Sequence, residues 1–385
     1  MTLDQRYPAI SDLEAAAYAR IPRFASEYLR GGVGNETGLQ RNQSALSEIT
    51  FSPRYLAEQS THQPNLQTSI LDQTFALPFG ISPIGLSGLM WPGAVEMLAR
   101  SARRANIPMA LSTFATTSMS DFHAIAESNG WFQMYTANTQ EKRKVILEDV
   151  KRAGFEVLVV TVDVPTYTRR PRELRVGLSV PPVFNLQTIA DVVKRPRWAL
   201  ATAAAGLPRF KNVLPHVPQG LPLEEEAREM NDMIDGTMTH KVLQEIRDLW
   251  PGKLVVKGVL TEGDALQALK LGADGLWVSN HGGRQLDAAL SPVEVLPRIR
   301  AAVGDDVLVV ADSGVRSGLD IARMLACGAD FVFLGRALMY AVCALQETGP
   351  DHAIHVLQQE LYYAMAQMGC TEVAQLSEFL NSRQT

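Results

Sequence analysis

From about residue 75 to residue 336 one pattern recurs: a short apolar, β-branched run, then polar or glycine-rich punctuation, then a helical stretch. The runs are Phe79–Gly85, Met109–Ser112, Trp131–Tyr135, Val157–Asp163, Leu254–Val259, Gly275–Asn280, Val307–Asp312 and Phe331–Gly335. Near-continuous hydrophobicity suits strands buried on both faces, as parallel sheets require. Between them, Ala94–Ala105, Gln140–Ala153, Thr261–Leu271, Pro292–Val303 and Ser317–Cys327 read as helices. Gly154, Gly272, Gly304 and Gly328 follow them and can take the left-handed conformation that ends a helix. Eight such units suffice to close a (β/α)8 TIM barrel. An open doubly wound sheet is the rival, but no crevice-type glycine fingerprint follows the first strand.

The whole chain reads as one domain. Residues 1–74, with helical stretches Ser11–Ala19 and Ile21–Arg30, form an N-terminal cap on a barrel spanning 75–345. Residues 171–240 are a long, mobile insertion between the fourth and fifth strands, rich in proline and basic residues, and 350–382 form C-terminal helices.

Composition narrows the partners. Thirty-six basic against 41 acidic side chains leave a net charge of −5, so no global basic field recruits nucleic acid. The three cysteines are far apart and lack metal-ligand spacing; no metal site is expected, and the thiols suit a reducing cytoplasm. The first ten residues lack the apolar core of a signal peptide, and no apolar run reaches the roughly 18 residues that cross a bilayer. The expected location is cytoplasmic, or peripheral on the inner face of the cell membrane.

In barrels the chemistry sits at the carboxyl ends of the strands. Those ends read, in order, Pro83-Ile84-Gly85, Ser112, Gln133-Met134-Tyr135, Thr161-Val162-Asp163, Lys257-Gly258, Ser279-Asn280-His281-Gly282-Gly283-Arg284, Asp312-Ser313-Gly314-Val315-Arg316 and Gly335-Arg336. Every end is polar, charged or glycine, which implies one polar site on one rim. Gly314 and Gly335 allow close backbone approach, and Arg316 and Arg336 offer planar donor forks, so the last two ends suit a phosphate. Lys257 can stabilise an anion or form a Schiff base. His281 beside Arg284 joins a base to a carboxylate clamp, with Asp163 able to orient the imidazole.

The run Ser279-Asn280-His281-Gly282-Gly283-Arg284-Gln285-Leu286-Asp287 resembles the signature of the FMN-dependent L-2-hydroxy acid dehydrogenase/oxidase family, which includes glycolate oxidase, flavin lactate dehydrogenase and flavocytochrome b2. Val256-Lys257-Gly258-Val259 and the other strand ends are similar to further family motifs in the same order, over roughly residues 10 to 380. The resemblance implies FMN as cofactor. It implies that Pro83, Ile84 and Gly85 lie along the flavin ring, and that Ser112, Gln133 and Thr161 hydrogen-bond it. Lys257 would sit by its pyrimidine edge with Ser279 nearby, Asp312 at the ribityl chain, and Gly314, Arg316, Gly335 and Arg336 at the phosphate. It further implies that Arg170, Arg284 and Tyr28 hold a substrate carboxylate, Tyr135 contacts its hydroxyl, His281 acts as base and Asp163 supports the imidazolium.

The strand-one loop reads Pro-Ile-Gly where glycolate oxidases have Pro-Thr-Ala, and Phe114 stands where plant-type oxidases have tryptophan, reshaping the substrate pocket. Ile84 through Pro92, Pro196-Arg197-Trp198 and Asp248 through Pro251 resemble the mandelate dehydrogenase branch, which favours an aromatic or bulky substrate. The family also implies a homotetramer and an acceptor that is a quinone, a cytochrome or oxygen. Residues 183–220 carry Lys194, Arg195, Arg197, Arg209 and Lys211 interleaved with Trp198, Leu200 and Phe210. They read either as a plain covering loop or as a peripheral membrane contact. Whether His281 takes the hydroxyl proton or the α-proton stays open at this level. So do a lactate- or glycolate-type oxidase, and a non-redox lyase working through Lys257.

Overall fold

The computed structural model describes residues 1–56, 63–178, 186–218, 220–222, 225, 229–230 and 237–381. Its strands are β1 (Thr68–Ile70), β2 (Gln73–Phe75), β3 (Phe79–Ile81), β4 (Met109–Ser112), β5 (Gly130–Met134), β6 (Val157–Thr161), β7 (Lys253–Val259), β8 (Gly275–Val278), β9 (Leu308–Ala311) and β10 (Phe331–Leu334). Strands β3 to β10 pair in parallel in chain order, and β10 pairs back onto β3 through Val332 opposite Phe79. The sheet is thus the closed eight-stranded barrel that the recurring pattern implies.

All eight expected runs become barrel strands, but most stop short of their expected carboxyl ends. Phe79–Gly85 leaves the ladder after Ile81, and Val157–Asp163 after Thr161. The residues beyond are the polar ones, and they turn out of the sheet to face the mouth. The expected helices lie within a residue or so of Ala94–Arg104, Gln140–Arg152, Glu262–Lys270, Pro292–Val303 and Gly318–Ala326. Three of them start on a threonine or serine whose hydroxyl accepts from the third backbone amide of the helix, as at Thr139, Thr261 and Ser317.

The lower half of the barrel is filled with aromatic rings. Trp277 and Phe333 stack 4.2 Å apart, with Trp131 tilted 5.2 Å from Phe333. The antiparallel β1–β2 hairpin covers this end, where Phe75 meets Phe331 edge to face at 5.9 Å. Its two-residue turn places Leu71 and Asp72 at φ 48° and 64°, as a type I′ turn needs. The sequence hides this hairpin because Leu-Asp is not the Asn-Gly or Asp-Gly that such turns favour.

The N-terminal residues contain helices Ile10–Arg20, Arg23–Arg30 and Thr37–Glu48, the last unforeseen. The C-terminal residues form one long helix, Gly349–Met368, then a 3-10 turn over Val373–Phe379. Within 171–240 the described residues include helices Leu186–Val193 and Pro196–Ala205.

Candidate active site

The loop after β8 is bent by three consecutive left-handed residues, His281, Gly282 and Gly283, at φ 57°, 65° and 74°. For histidine that conformation is uncommon and is held only where the surroundings overdetermine it. Here they do. The His281 amide donates to Ser279 Oγ at 3.0 Å, and that of Gly283 to Asn280 Oδ1 at 3.2 Å. Asn280 is buried and paired amide to amide with Asn42 of the N-terminal helix. Asp287 accepts from the Asn35 and Gly38 amides at 2.9 Å each. A Cβ on Gly283 would meet the backbone of Leu39 at 2.7 Å, so glycine is required where the cap lies on the loop.

This bend aims the imidazole into the mouth. His281 Nδ1 lies 3.0 Å from Asp163 Oδ1 and Nε2 lies 3.4 Å from the Tyr135 hydroxyl. A carboxylate at Nδ1 selects the tautomer with its proton there, which leaves the Nε2 lone pair facing the site. Burial, and secondly the charge of Asp163, hold the Tyr135 phenol well above the usual tyrosine range, so it stays a donor.

Below the histidine, Lys257 Nζ donates to Ser279 Oγ at 2.7 Å and to Asp312 Oδ2 at 2.8 Å, all three groups being buried. Burial alone would raise the Asp312 carboxyl, but Lys257 and the Ser279 and Ser313 hydroxyls outweigh it and bring it below the usual range. Lys257 is therefore committed to a buried ion pair, unlike the free amine a Schiff base needs. A register shift beyond Lys257, with Gly258 at φ 105°, re-aims this end of β7 beside Asp163.

The structure divides the arginines into two pairs. Arg336 donates to the carbonyls of Leu29, Gly282 and Gly31 at 2.8 to 2.9 Å. Burial, then Arg316 and Arg284 nearby, bring it down to about 10. Arg316 keeps a buried Nε with no partner. Close guanidiniums at the glycine-rich ends of β9 and β10 call for an anion between them. The other pair, Arg284 and Arg170, lies above, with Arg284 stacked 4.7 Å over the Tyr28 ring and Tyr28 donating to the Gly85 carbonyl at 3.3 Å.

Along the third wall, Gln133 Nε2 donates to Thr161 Oγ at 2.8 Å, while its buried Oε1 has no partner; neither does Ser82 Oγ. Ser112 Oγ accepts from the Phe114 amide at 3.2 Å. Phe114 stands 5.2 Å from both Tyr135 and Phe210. The sequence left Trp198, Leu200 and Phe210 either in a plain covering loop or in a peripheral membrane contact, and the structure separates the three. Phe210 lines the pocket, and Trp198 is buried, packed on Phe24 and donating to the Met90 carbonyl at 3.0 Å. Leu200 faces outward, joined by the unforeseen Ile189, Val193 and Leu207. Asn42, Ser82 and Glu173 were also missed; of these, only Glu173, three residues from Arg170, left a readable sign.

Such a mouth suits oxidation of an acid by a phosphate-bearing cofactor. The comparisons lead to the same class. A family profile described as FMN-dependent dehydrogenase matches residues 17–382. (S)-mandelate dehydrogenase of Pseudomonas putida is 36% identical over 368 residues, covering 96% of this chain and 92% of that protein. L-lactate dehydrogenase of Pseudomonas syringae pv. syringae is 37% identical, covering 95% and 96%. The solved structure of a monotopic membrane protein, (S)-mandelate dehydrogenase, superposes with a TM-score of 0.91 at 35% identity, covering 97% of this chain and 98% of that one. The chain belongs to the FMN-dependent dehydrogenase family, and its cofactor is FMN.

The residues present fit that cofactor. An orphan acceptor at Gln133 Oε1 suits a ring N–H, and an orphan donor at Arg316 Nε suits a phosphate oxygen. Lys257, held by Asp312, supplies positive charge between them.

Proposed function

We propose that this chain oxidises an L-2-hydroxy acid to the 2-keto acid, with an aromatic or otherwise bulky group on the α-carbon. The observation that carries the reading is the His281–Asp163 pair, with Nε2 turned toward Tyr135 within the rim that bears Arg170 and Arg284. The two guanidiniums hold the carboxylate and fix the α-carbon. FMN, when bound, would supply the acceptor for the α-hydrogen together with the electron pair of its bond to carbon. His281 Nε2 receives the hydroxyl proton, and Asp163 stabilises the imidazolium so formed. Tyr135, kept protonated, donates to the substrate oxygen. Lys257 places fixed positive charge against the flavin site. Pro83, Ile84 and Gly85 would back the flavin ring, while Ser112, Gln133, Thr161, Ser279 and Asp312 would supply its polar contacts. The wall of Phe114, Tyr135 and Phe210 favours an aromatic substrate group, and two relatives act, by their names, on mandelate and on lactate.

The test is His281→Gln. The purified variant keeps its yellow FMN, yet anaerobic flavin reduction by (S)-mandelate falls about 10²–10⁴-fold. Reduction at the wild-type rate removes the base assignment. A panel of mandelate, phenyllactate, lactate and glycolate ranks the substrates, with the aromatic acids expected first.

A second reading concerns the acceptor. Exposed Ile189, Val193, Leu200 and Leu207 lie among exposed Lys194, Arg197, Arg209 and Lys211, the composition of a peripheral contact with an anionic bilayer. Among the described residues no helix is long and apolar enough to cross a membrane. Electrons would then pass to a membrane quinone. Sedimentation with anionic vesicles, and little peroxide under air, are the expected results; unaltered sedimentation after Leu200→Glu and Leu207→Glu leaves a plain covering loop.

A further inference from the structure

The carboxylate clamp contains a carboxylate of its own. Arg284 Nη1 donates to the carbonyls of Tyr28 at 2.8 Å and Gly31 at 2.9 Å, and Nη2 donates to Glu173 Oε1 at 2.6 Å. A guanidinium has five N–H donors, so Nε and one Nη2 hydrogen stay available on the edge a carboxylate takes side-on. Arg170 Nη1 lies 3.7 Å from the same Glu173 oxygen, and its Nε is buried without a partner. Glu173 thus faces both arginines.

Its position is fixed from two sides. It lies on the short helix Pro171–Arg175, whose Arg172 is bound to Glu27 and Glu36 of the N-terminal residues at 2.8 and 2.5 Å. The Glu173 side chain is only 14% exposed. Burial and the neighbouring Arg284 pull Arg170 below its ordinary range, and Glu173 opposes them.

We propose that Glu173 is a positioning residue that holds Arg284 in place and sets the clamp at one net positive charge, matching it to a single carboxylate. The charges facing the site support this count. Within the clamp itself two guanidiniums face one glutamate, while the Asp163 carboxylate is turned to the His281 ring and those of Glu27 and Glu36 to Arg172. A 2-hydroxy monocarboxylate brings the clamp to neutrality, while a dicarboxylate leaves an uncompensated negative charge in a half-buried site. The inference rests on the 2-hydroxy acid reading and adds a basis for rejecting dicarboxylates.

The experiment titrates the flavin absorbance of the holoenzyme with two ligands of nearly the same shape, oxamate as monoanion and oxalate as dianion. In Glu173→Gln the ratio of their dissociation constants shifts toward oxalate by about tenfold, the Coulomb effect of one missing charge on the second charge of oxalate at an effective dielectric between protein interior and water. Glu173→Asp returns the ratio to near wild type, and an unchanged flavin spectrum shows that both variants are folded. An unchanged ratio in Glu173→Gln overturns the proposal. So does equal tightening of both ligands, which would make Glu173 an occupant that substrate displaces. Arg284→Met separates the two levels: if it weakens neither ligand, the clamp reading itself fails, whatever Glu173 does.

Discussion

The two mouths of the barrel are built on opposite principles. The amino end is closed by packing: tilted and edge-to-face rings fill it, with the Trp131 and Trp277 indole N–H groups as its buried polar atoms without a partner. The β1–β2 hairpin covers them, and an open cleft of about 920 Å³ beside it is lined by Arg247, Asp274, Lys253 and Asp72. Those charges already pair, Arg247 with Asp274 at 3.0 Å and Lys253 with Asp72 at 2.6 Å. At the carboxyl end, buried polar atoms of Ser82, Gln133, Asp163, Arg170 and Arg316 have no protein partner. A large concavity is therefore a poorer guide to chemistry than polar groups the protein itself does not satisfy, since each would cost about 1–3 kcal/mol if nothing ever met it.

The sharpest way to break this contrast is Asp163→Asn. The amide no longer enforces the Nδ1 tautomer, and anaerobic flavin reduction is expected to fall about 10³–10⁴-fold with FMN retained. A change of less than tenfold would mean that the carboxyl mouth is not poised as described. At the other mouth, Trp277→Ala removes a fully buried ring, and urea unfolding should record a loss of about 3–5 kcal/mol.

A smaller effect follows from Glu36, which accepts from Nε and Nη2 of Arg172 and from the Gly32 amide. The Arg172 hydrogen bond is the chief cause that brings its carboxyl from 4.5 to about 2. A carboxyl depressed on folding stabilises above its unfolded value and loses that contribution as pH falls toward the folded one. The urea midpoint of wild type should thus exceed that of Glu36→Gln by a constant margin above about pH 5.5, narrowing as the pH drops through 4.5 toward 2. A margin independent of pH would mean that the Glu36–Arg172 ion pair does not contribute to stability. Smallest of all is Lys253→Met. An exposed pair contributes about 0–1 kcal/mol, and flavin reduction should match wild type. Loss of activity there would give the cleft a function that its paired charges do not suggest.

Legibility followed the range of the interactions. The barrel strands could be read because burial on both faces leaves a continuous apolar run that needs no knowledge of neighbours. The rim could be read because polar residues ending such runs have one place to go. The hairpin at 68–75 was hidden by an atypical turn, and helix Thr37–Glu48 by a weakly apolar face whose packing partners, the helices Pro292–Val303 and Gly318–Ala326, lie far along the chain. Trp198 and Phe210 stayed undecided because a basic, aromatic stretch looks alike whether its rings face lipid or a pocket; the packing on Phe24 and Phe114 decides for these two.

The order of strands and the gathering of polar residues, His281 among them, at the carboxyl rim were determined by the chain itself, because each depends on periodicity or on a compact motif. Only the tertiary structure decided how charges are shared. That Arg336 spends its fork on backbone carbonyls, that Arg316 keeps an unpaired Nε, and that Glu173 faces both Arg170 and Arg284 are facts decided by the tertiary structure. Coulomb and hydrogen-bond energies change steeply over one or two ångströms, and no local pattern of residues records such a distance.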